Sequence, residues 1–402
     1  MERFQFRVLI VLCLLLAFFM GCTREESIES SQDIIAAQEE AIESNQDNFV
    51  TNEVYSHSFS NWVEISAPRW GIEGTEERVC NYCGERQVQT IPQYTYGLEI
   101  NQDGVVVSRG SVTEDVIIIP STISPTNNTP VTAIGDNAFI NTRFGRYGHS
   151  EGITRIRIPN SVITIGERAF LDNRLATVII PNSVTSIGAL AFSGNHELTG
   201  VVIPDSVTSI GGSAFSSCSI TDITIPDNLT VIERQVFLSN RLTSVTIPDS
   251  VTIIERMAFA DNPLTSLTIG NNVTTIETSA FRNNRLTGVV IPDSVITIEA
   301  GAFWGTPLTN LTIGNGVTSI GTVAFRTGYL SSIVIPNSVT TIWVNSFDGT
   351  LPISITIPAN VDIMDSHIEP TERDAAFRAF YNNNDRRAGV YSFDGNVWSF
   401  SP

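Results

Sequence analysis

Positive charge is scarce in this chain. Its 402 residues carry 23 basic against 42 acidic side chains, a formal net charge of −19. Such a surface repels phosphate backbones and anionic headgroups, so nucleic-acid binding is excluded. Histidine is nearly absent: His57, His149, His196 and His367 are scattered and share no motif. No G-x-S-x-G, H-E-x-x-H or phosphate-cradling glycine loop is present, so neither an enzyme nor a cofactor is expected. Cysteine is limited to five residues, too few for a disulfide scaffold in a chain this long. Long apolar runs are missing after the first, Val8–Met20, whose thirteen residues fall short of the roughly 20 that span a bilayer.

That one run has the form of an export signal, with Arg3 and Arg7 before it and "GCT" after it. Gly21 directly before Cys22 resembles the lipobox of bacterial lipoproteins, although Phe19 stands where that motif usually has Leu. The resemblance implies that Cys22 is the site of lipid attachment; the alternative is an ordinary secretory signal cut nearby. Residues 23–53 follow with nine acids against one base, Arg24, and read as a flexible tether because so few apolar side chains cannot repay ordering. The expected organisation is a signal peptide (1–21), the tether (22–53), a small β-rich module (54–116), a repeat region (117–360) and a C-terminal cap (361–402).

The repeat is the dominant feature. An "I-P" or "I-G" marker recurs at Pro159, Pro181, Pro204, Pro226, Pro248, Gly270, Pro292, Gly314, Pro336 and Pro358, every 22 residues except for one interval of 23 before Pro204. A phenylalanine stands eleven residues after each of the first nine markers, from Phe170 to Phe347. A period this short implies a solenoid. In "LTSVTIPDSVTIIERMAF", Leu242, Val245 and Ile247 have the L-x-x-V-x-I spacing of a leucine-rich-repeat strand, rich in β-branched residues. Pro248 ends the strand, Val251 and Ile254 start a second short extended side, and "ERMAF" is expected to close the coil as a helical turn. The fold class expected is α/β and β-rich: about ten to eleven 22-residue coils with parallel strands, short helical turns and irregular caps. At the C-terminal end, Thr371 with Asp374 predicts a helix start and "YSFDGNVWSF" a hairpin; Phe377, Phe380, Trp398 and Phe400 are the plugs expected for the open end.

The units "IPDSVTSIGGSAF" (203–215) and "LTSVTIPDSV" (242–251) resemble the BspA-like leucine-rich-repeat proteins of bacterial surfaces over about residues 117–360. The resemblance implies an exported, often lipid-anchored, surface-exposed protein that adheres to host matrix or to another cell-surface protein. A periplasm-facing structural lipoprotein is the alternative. Where that family commonly has Cys after the Phe, this chain has it only as Cys218, with Asn173, Asn195, Asn240, Asn262 and Asn284 elsewhere; inward Asn side chains satisfying loop carbonyls are expected.

Stacking turns sequence columns into surface ladders. The outward strand columns predict an uncharged strip containing Thr224, Thr243, Thr246, Thr265, Thr268, Thr287, Thr309 and Thr312. Its two readings are β-propensity filler and a protein-binding face. Glu233, Glu255, Glu277 and Glu299 form a second ladder, read as solvated charge at a helix start rather than a Ca²⁺ site. Arg174, Arg241 and Arg285 share a phase in "NRL" and are weaker binding candidates. Cys80 and Cys83 give half of a zinc-knuckle spacing; a structural pair, a weak metal site and a redox pair all remain open, with no metal expected overall.

Overall fold

A computed structural model describes residues 63–66, 74–79, 86–91, 94–95, 97–141, 152–326, 329–347, 354–365, 368 and 371–402. The chain divides into two units, Met1–Tyr94 and Thr95–Pro402. In the first, strands β1 (Val63–Ser66), β2 (Gly74–Val79) and β3 (Arg86–Ile91) form an antiparallel sheet in the order β1-β2-β3. Arg78 donates two hydrogen bonds to Gln87 Oε1 across the β2–β3 pair. Cys80 and Cys83 fall between these strands in sequence and lie outside the described residues.

The second unit is the solenoid. It starts earlier than the sequence suggested: β4 (Glu99–Ile100) and β5 (Val105–Ser108) belong to it, with β5 parallel to Ala133–Ile134. Each regular coil except the one closing on Phe237 contributes one long and one short strand. Long strands such as Ser244–Thr246 and Ser266–Thr268 pair in parallel and in register, so that Val245 lies beside Leu267. Short strands make sheets of six and seven members, for example Ile253–Ile254 against Thr275–Ile276. Alternation explains both ladders: Val245 and Ile247 point inward and are buried, whereas Ser244 and Thr246 point outward. No single coil could bury its apolar set alone, and stacking supplies the missing wall.

Ten phenylalanines, from Phe139 through Phe170 to Phe347, form one column. Successive ring centroids lie 5.1–5.9 Å apart with interplanar angles of 3–19°. The spacing exceeds the roughly 4.8 Å between paired strands, as offset stacking requires. Nine regular coils close on Phe170 to Phe347, after an irregular one that closes on Phe139. The extra residue of the 23-residue interval lies between buried Asn195 and Leu198, where His196 and Glu197 bulge outward. Soon after it, Asp222–Thr224 forms no strand, and the short-strand sheet breaks between Ile210 and Val231. The phenylalanine column continues across the break and reaches its widest spacing there, 5.9 Å between Phe215 and Phe237.

The fold class stands, with one correction inside the coil. The segment ending on Phe is not a helical turn. Two positions per coil are left-handed, two residues before the Phe and two after it: Met257 at φ 57° and Asp261 at φ 57° flank Phe259. The left-handed residue stops helical hydrogen bonding, so alternate N–H groups turn outward to the next coil. Met257, Phe259 and Asp261 donate to the carbonyls of Thr278, Ala280 and Arg282 (3.1, 2.9 and 2.8 Å), while Ala258 and Ala260 close turns on Glu255 and Met257. The result is a third ladder of main-chain bonds. Each non-glycine residue in this conformation costs ~1–2 kcal/mol, offset by hydrogen bonds that a buried turn cannot leave unmade.

The marker column follows a steric rule. A Cβ on Gly270 would lie 2.4 Å from Pro248 O, and one on Gly314 would lie 2.3 Å from Pro292 O. In these coils the backbone sits against the preceding carbonyl, and Asn271 N and Asn315 N reach Asp249 Oδ1 and Asp293 Oδ1 at 2.7 Å.

The C-terminal end is covered by helix α1 (Glu372–Asn383) and a hairpin. Thr371 caps α1, its Oγ1 accepting from Asp374 N at 3.3 Å. Strand Gly389–Phe393 pairs antiparallel with Ser354–Ile357 and with Trp398–Ser401, so the parallel ladder ends on a strand of opposite direction. Phe377 and Trp398 are buried, and Phe380 and Phe400 pack partly buried against the core. Tyr381 and Tyr391 complete the plug, both fully buried. Tyr381 Oη donates to Pro358 O and accepts from Val361 N.

Candidate protein-binding face

The long-strand ladder presents three outward columns. Thr224, Thr243, Thr246, Thr265, Thr268, Thr287, Thr309 and Thr312 are all exposed. From Ala176 to Val334 these columns contain a single charge, Asp222. They also expose four β-branched apolar residues, Ile179, Val202, Val290 and Val334, at 49–66%. Two hydroxyls have structural partners: Thr265 Oγ1 donates to Thr243 O at 3.2 Å and Thr309 Oγ1 to Thr287 O at 3.1 Å. The face therefore offers methyl groups and a few free hydroxyls on a series of paired parallel strands.

The asparagine column is structural. Asn262 is buried; its Oδ1 accepts from Leu242 N at 3.1 Å and its Nδ2 donates to Phe237 O at 2.8 Å. Asn173, Asn195, Asn240 and Asn284 repeat this arrangement. Cys218 departs for a local reason. The lengthened coil before it turns Leu198 N back onto Asn195 O, so no acceptor is needed from the next coil, and the thiol serves as donor to Phe192 O and Ser216 O. Burial pushes this thiol up to about 12, which leaves it unreactive.

The glutamate ladder also takes a structural role, at turn starts rather than at a helix. Glu255 and Glu277 accept from the N–H groups of Arg234 and Arg256 at 2.9 and 3.1 Å, and Glu299 accepts from both N and Oγ1 of Thr278. Partial burial first, then the neighbouring Glu255 carboxylate, raise Glu233 above the ordinary glutamate value against the pull of Arg234. Glu277 is raised mainly by burial, with Glu255 and Glu299 adding to it against the pull of the Arg256 N–H. Among the described residues no group of three or more His, Cys, Asp or Glu is placed to hold a metal ion.

Of the arginines in phase, Arg174 pairs with Glu197 at 2.9 Å, whereas Arg241 and Arg285 are exposed. Sequence reasoning passed over Trp304 and Tyr329, exposed at 39% and 70%. The signal for Trp304 was a broken column: the position after the Phe holds Leu171, Ser193, Ser216, Leu238 and Ala260 in earlier coils, then Arg282, Trp304 and Arg326. Cys22, His57, His149 and His367 lie outside the described residues.

Parallel in-register coils of 22 residues, with a β-branched strand opening each one and a phenylalanine closing it, define a leucine-rich-repeat solenoid. A family profile described as a BspA type leucine rich repeat region matches residues 132–263 and 252–368. The chain belongs to that family. None of the curated proteins compared matches it. Among solved structures, a leucine-rich repeat protein from Bacteroides ovatus is 26% identical, with 68% of this chain and 66% of that one covered and a TM-score of 0.49. This chain thus spans 66% of that protein's length. A leucine rich cell surface protein from Faecalibacterium prausnitzii is also 26% identical, over 70% of this chain and 96% of that one, with a TM-score of 0.39. A leucine rich repeat protein from T. pallidum is 24% identical, over 58% and 86%, with a TM-score of 0.31.

Proposed function

We propose that this is an exported, lipid-anchored, non-enzymatic protein. It binds a protein partner, from host matrix or from another cell surface, through the outward face of its long-strand ladder. The observation that carries the reading is the ladder itself: eight coils of exposed, nearly uncharged side chains, seven of them held in register by paired strands. A flat face without a deep pocket suits a broad partner, and many weak contacts in phase let avidity replace a single strong one. Membrane attachment is through lipid on Cys22, and the acidic stretch 23–53 serves as spacer.

The test joins localisation with binding. Protease treatment of intact cells is expected to degrade the 117–360 region; full protection would instead support a periplasmic scaffold. Capture of partner proteins by the full chain should then fall when Thr246 and Thr268 are both changed to Lys. Unchanged capture by that folded variant removes the face from the proposal.

A further inference from the structure

The chain contains no lysine, so each of its 23 basic side chains is an arginine, with a planar guanidinium suited to carboxylates and aromatic faces. Three of them converge where the repeat columns break. In the coils closing on Phe281, Phe303 and Phe325, the position after the Phe holds Arg282, Trp304 and Arg326, and the position before the next Leu holds Arg285, Pro307 and Tyr329. Adjacent coils put these residues side by side along one edge of the solenoid. Two acids of these turns, Glu277 and Glu299, are engaged by the N–H groups of Arg256 and Thr278, and Asp261 of the turn before pairs with Arg282, in a protein of net charge −19.

Two features mark this edge as built for contact. Its aromatic rings remain exposed although main-chain hydrogen bonds tie the turn to its neighbours and a buried phenylalanine column lies beneath it. Its central guanidinium is also held in place: Arg282 lies 5.9 Å from the Trp304 ring centroid and 2.8 Å from Asp261 Oδ2, so less ordering entropy is lost when a partner arrives. Truncation energies at protein interfaces concentrate in Trp, Tyr and Arg, whereas Thr, Ser and Val are under-represented. On that rule the threonine face supplies complementarity and little anchoring. The edge immediately precedes Thr287, Thr309 and Ser331 in the chain, so the two surfaces are continuous.

We infer that the Arg282–Arg285–Trp304–Tyr329 edge is the anchoring site of the binding face, and that it takes an acidic protein segment carrying apolar side chains. Carboxylates meet Arg285 and the arginines beside Trp304, while an apolar side chain packs against the exposed rings. The negative charge of the rest of the molecule repels such a segment everywhere else, which fixes where it docks. This inference rests on the protein-binding reading above and adds the location of its strongest contacts and the sign of the partner.

The full chain is titrated with a labelled peptide alternating Glu and Leu, with its Lys–Leu counterpart, and with polygalacturonate. The Glu–Leu peptide is expected to bind with an affinity that falls as salt rises. Trp304→Ala and Arg285→Glu, both at exposed positions, should each weaken it by about tenfold or more, while Val397→Ala, exposed in the C-terminal hairpin, leaves it unchanged. Binding that survives both edge variants, or preference for the Lys–Leu peptide, overturns the inference. Polygalacturonate binding that these variants abolish, without peptide binding, overturns it in favour of an anionic glycan. Should protein capture still depend on Thr246 and Thr268 in either case, the binding face stands and only its anchor is refuted.

Discussion

Asn262 shows how one side chain joins two coils. It serves the Leu242 N–H and the Phe237 carbonyl of the coil before it from a position 2% exposed. Asn262→Leu keeps the volume but strands at least one buried polar group, which costs roughly 1–3 kcal/mol. A chemical-denaturation midpoint equal to wild type would show that the asparagine contributes nothing. Glu277 makes the opposite case, a charge the fold tolerates rather than exploits. Because its folded value and that of Glu233 are raised, their contribution to stability is complete below the ordinary glutamate value of 4.5. It is lost as pH rises through the raised folded value. Glu277→Gln retains an acceptor for Arg256 N and removes one charge from the row. Its melting temperature should therefore depend less on pH just above 4.5 and match or exceed wild type at neutrality. A steeper profile than wild type would contradict this. The asparagine role was legible in the sequence, since a polar residue five times in one inward column must find partners there. The glutamate role was half legible: the position at a turn start was right, but the donor belongs to another coil.

At the scale of the element, strands were readable and turns were not. Val, Ile and Thr alternate with period two, and that pattern identifies both faces of the long strand. The closing turn is marked unevenly: its left-handed site after the Phe often holds Asp172, Gly194, Asp261, Asn283 or Gly305, but the site before it holds Arg168, Leu190, Gln235, Met257 and Val323 as well as Asn137, Gly301 and Asn345, so the column does not advertise the conformation. "ERMAF" therefore looks helical by local propensity. If the turn ladder imposes this backbone, relief of the strain should be measurable at a site with little else to lose. Arg168, at φ 52°, is exposed and makes only a surface pair with Glu167 at 3.0 Å, worth little. Arg168→Gly is expected to raise stability by roughly 0.5–1 kcal/mol, the steric penalty less the extra chain entropy of glycine. A clear decrease in the unfolding midpoint would argue that this position is not strained.

Across the whole solenoid, stability depends on nearest neighbours, so its ends matter more than their size suggests. The last coil leaves Ile355, Ile357 and Val361 to be covered, and all three are buried in a core cluster shared with Phe377, Tyr381 and Tyr391. Removing residues 371–402 would expose that apolar wall together with the free edge of strand Ser354–Ile357, a template for association between chains. The truncated protein is expected to form higher oligomers or aggregates in light scattering and to melt earlier. A monodisperse product with an unchanged melting temperature would show that the cap is dispensable.

The sequence alone determined the period, the inward columns and the parallel stacking, because a core shared between coils demands the same apolar residues at the same phase in every unit. It determined the scarcity of positive charge and the uncharged outward columns in the same direct way. Only the tertiary structure decided how the turn closes, which N–H each carboxylate meets, and that Arg282 lies beside Trp304. Each of those depends on a partner one coil away, some 22 residues along the chain. Local propensity therefore has no access to it.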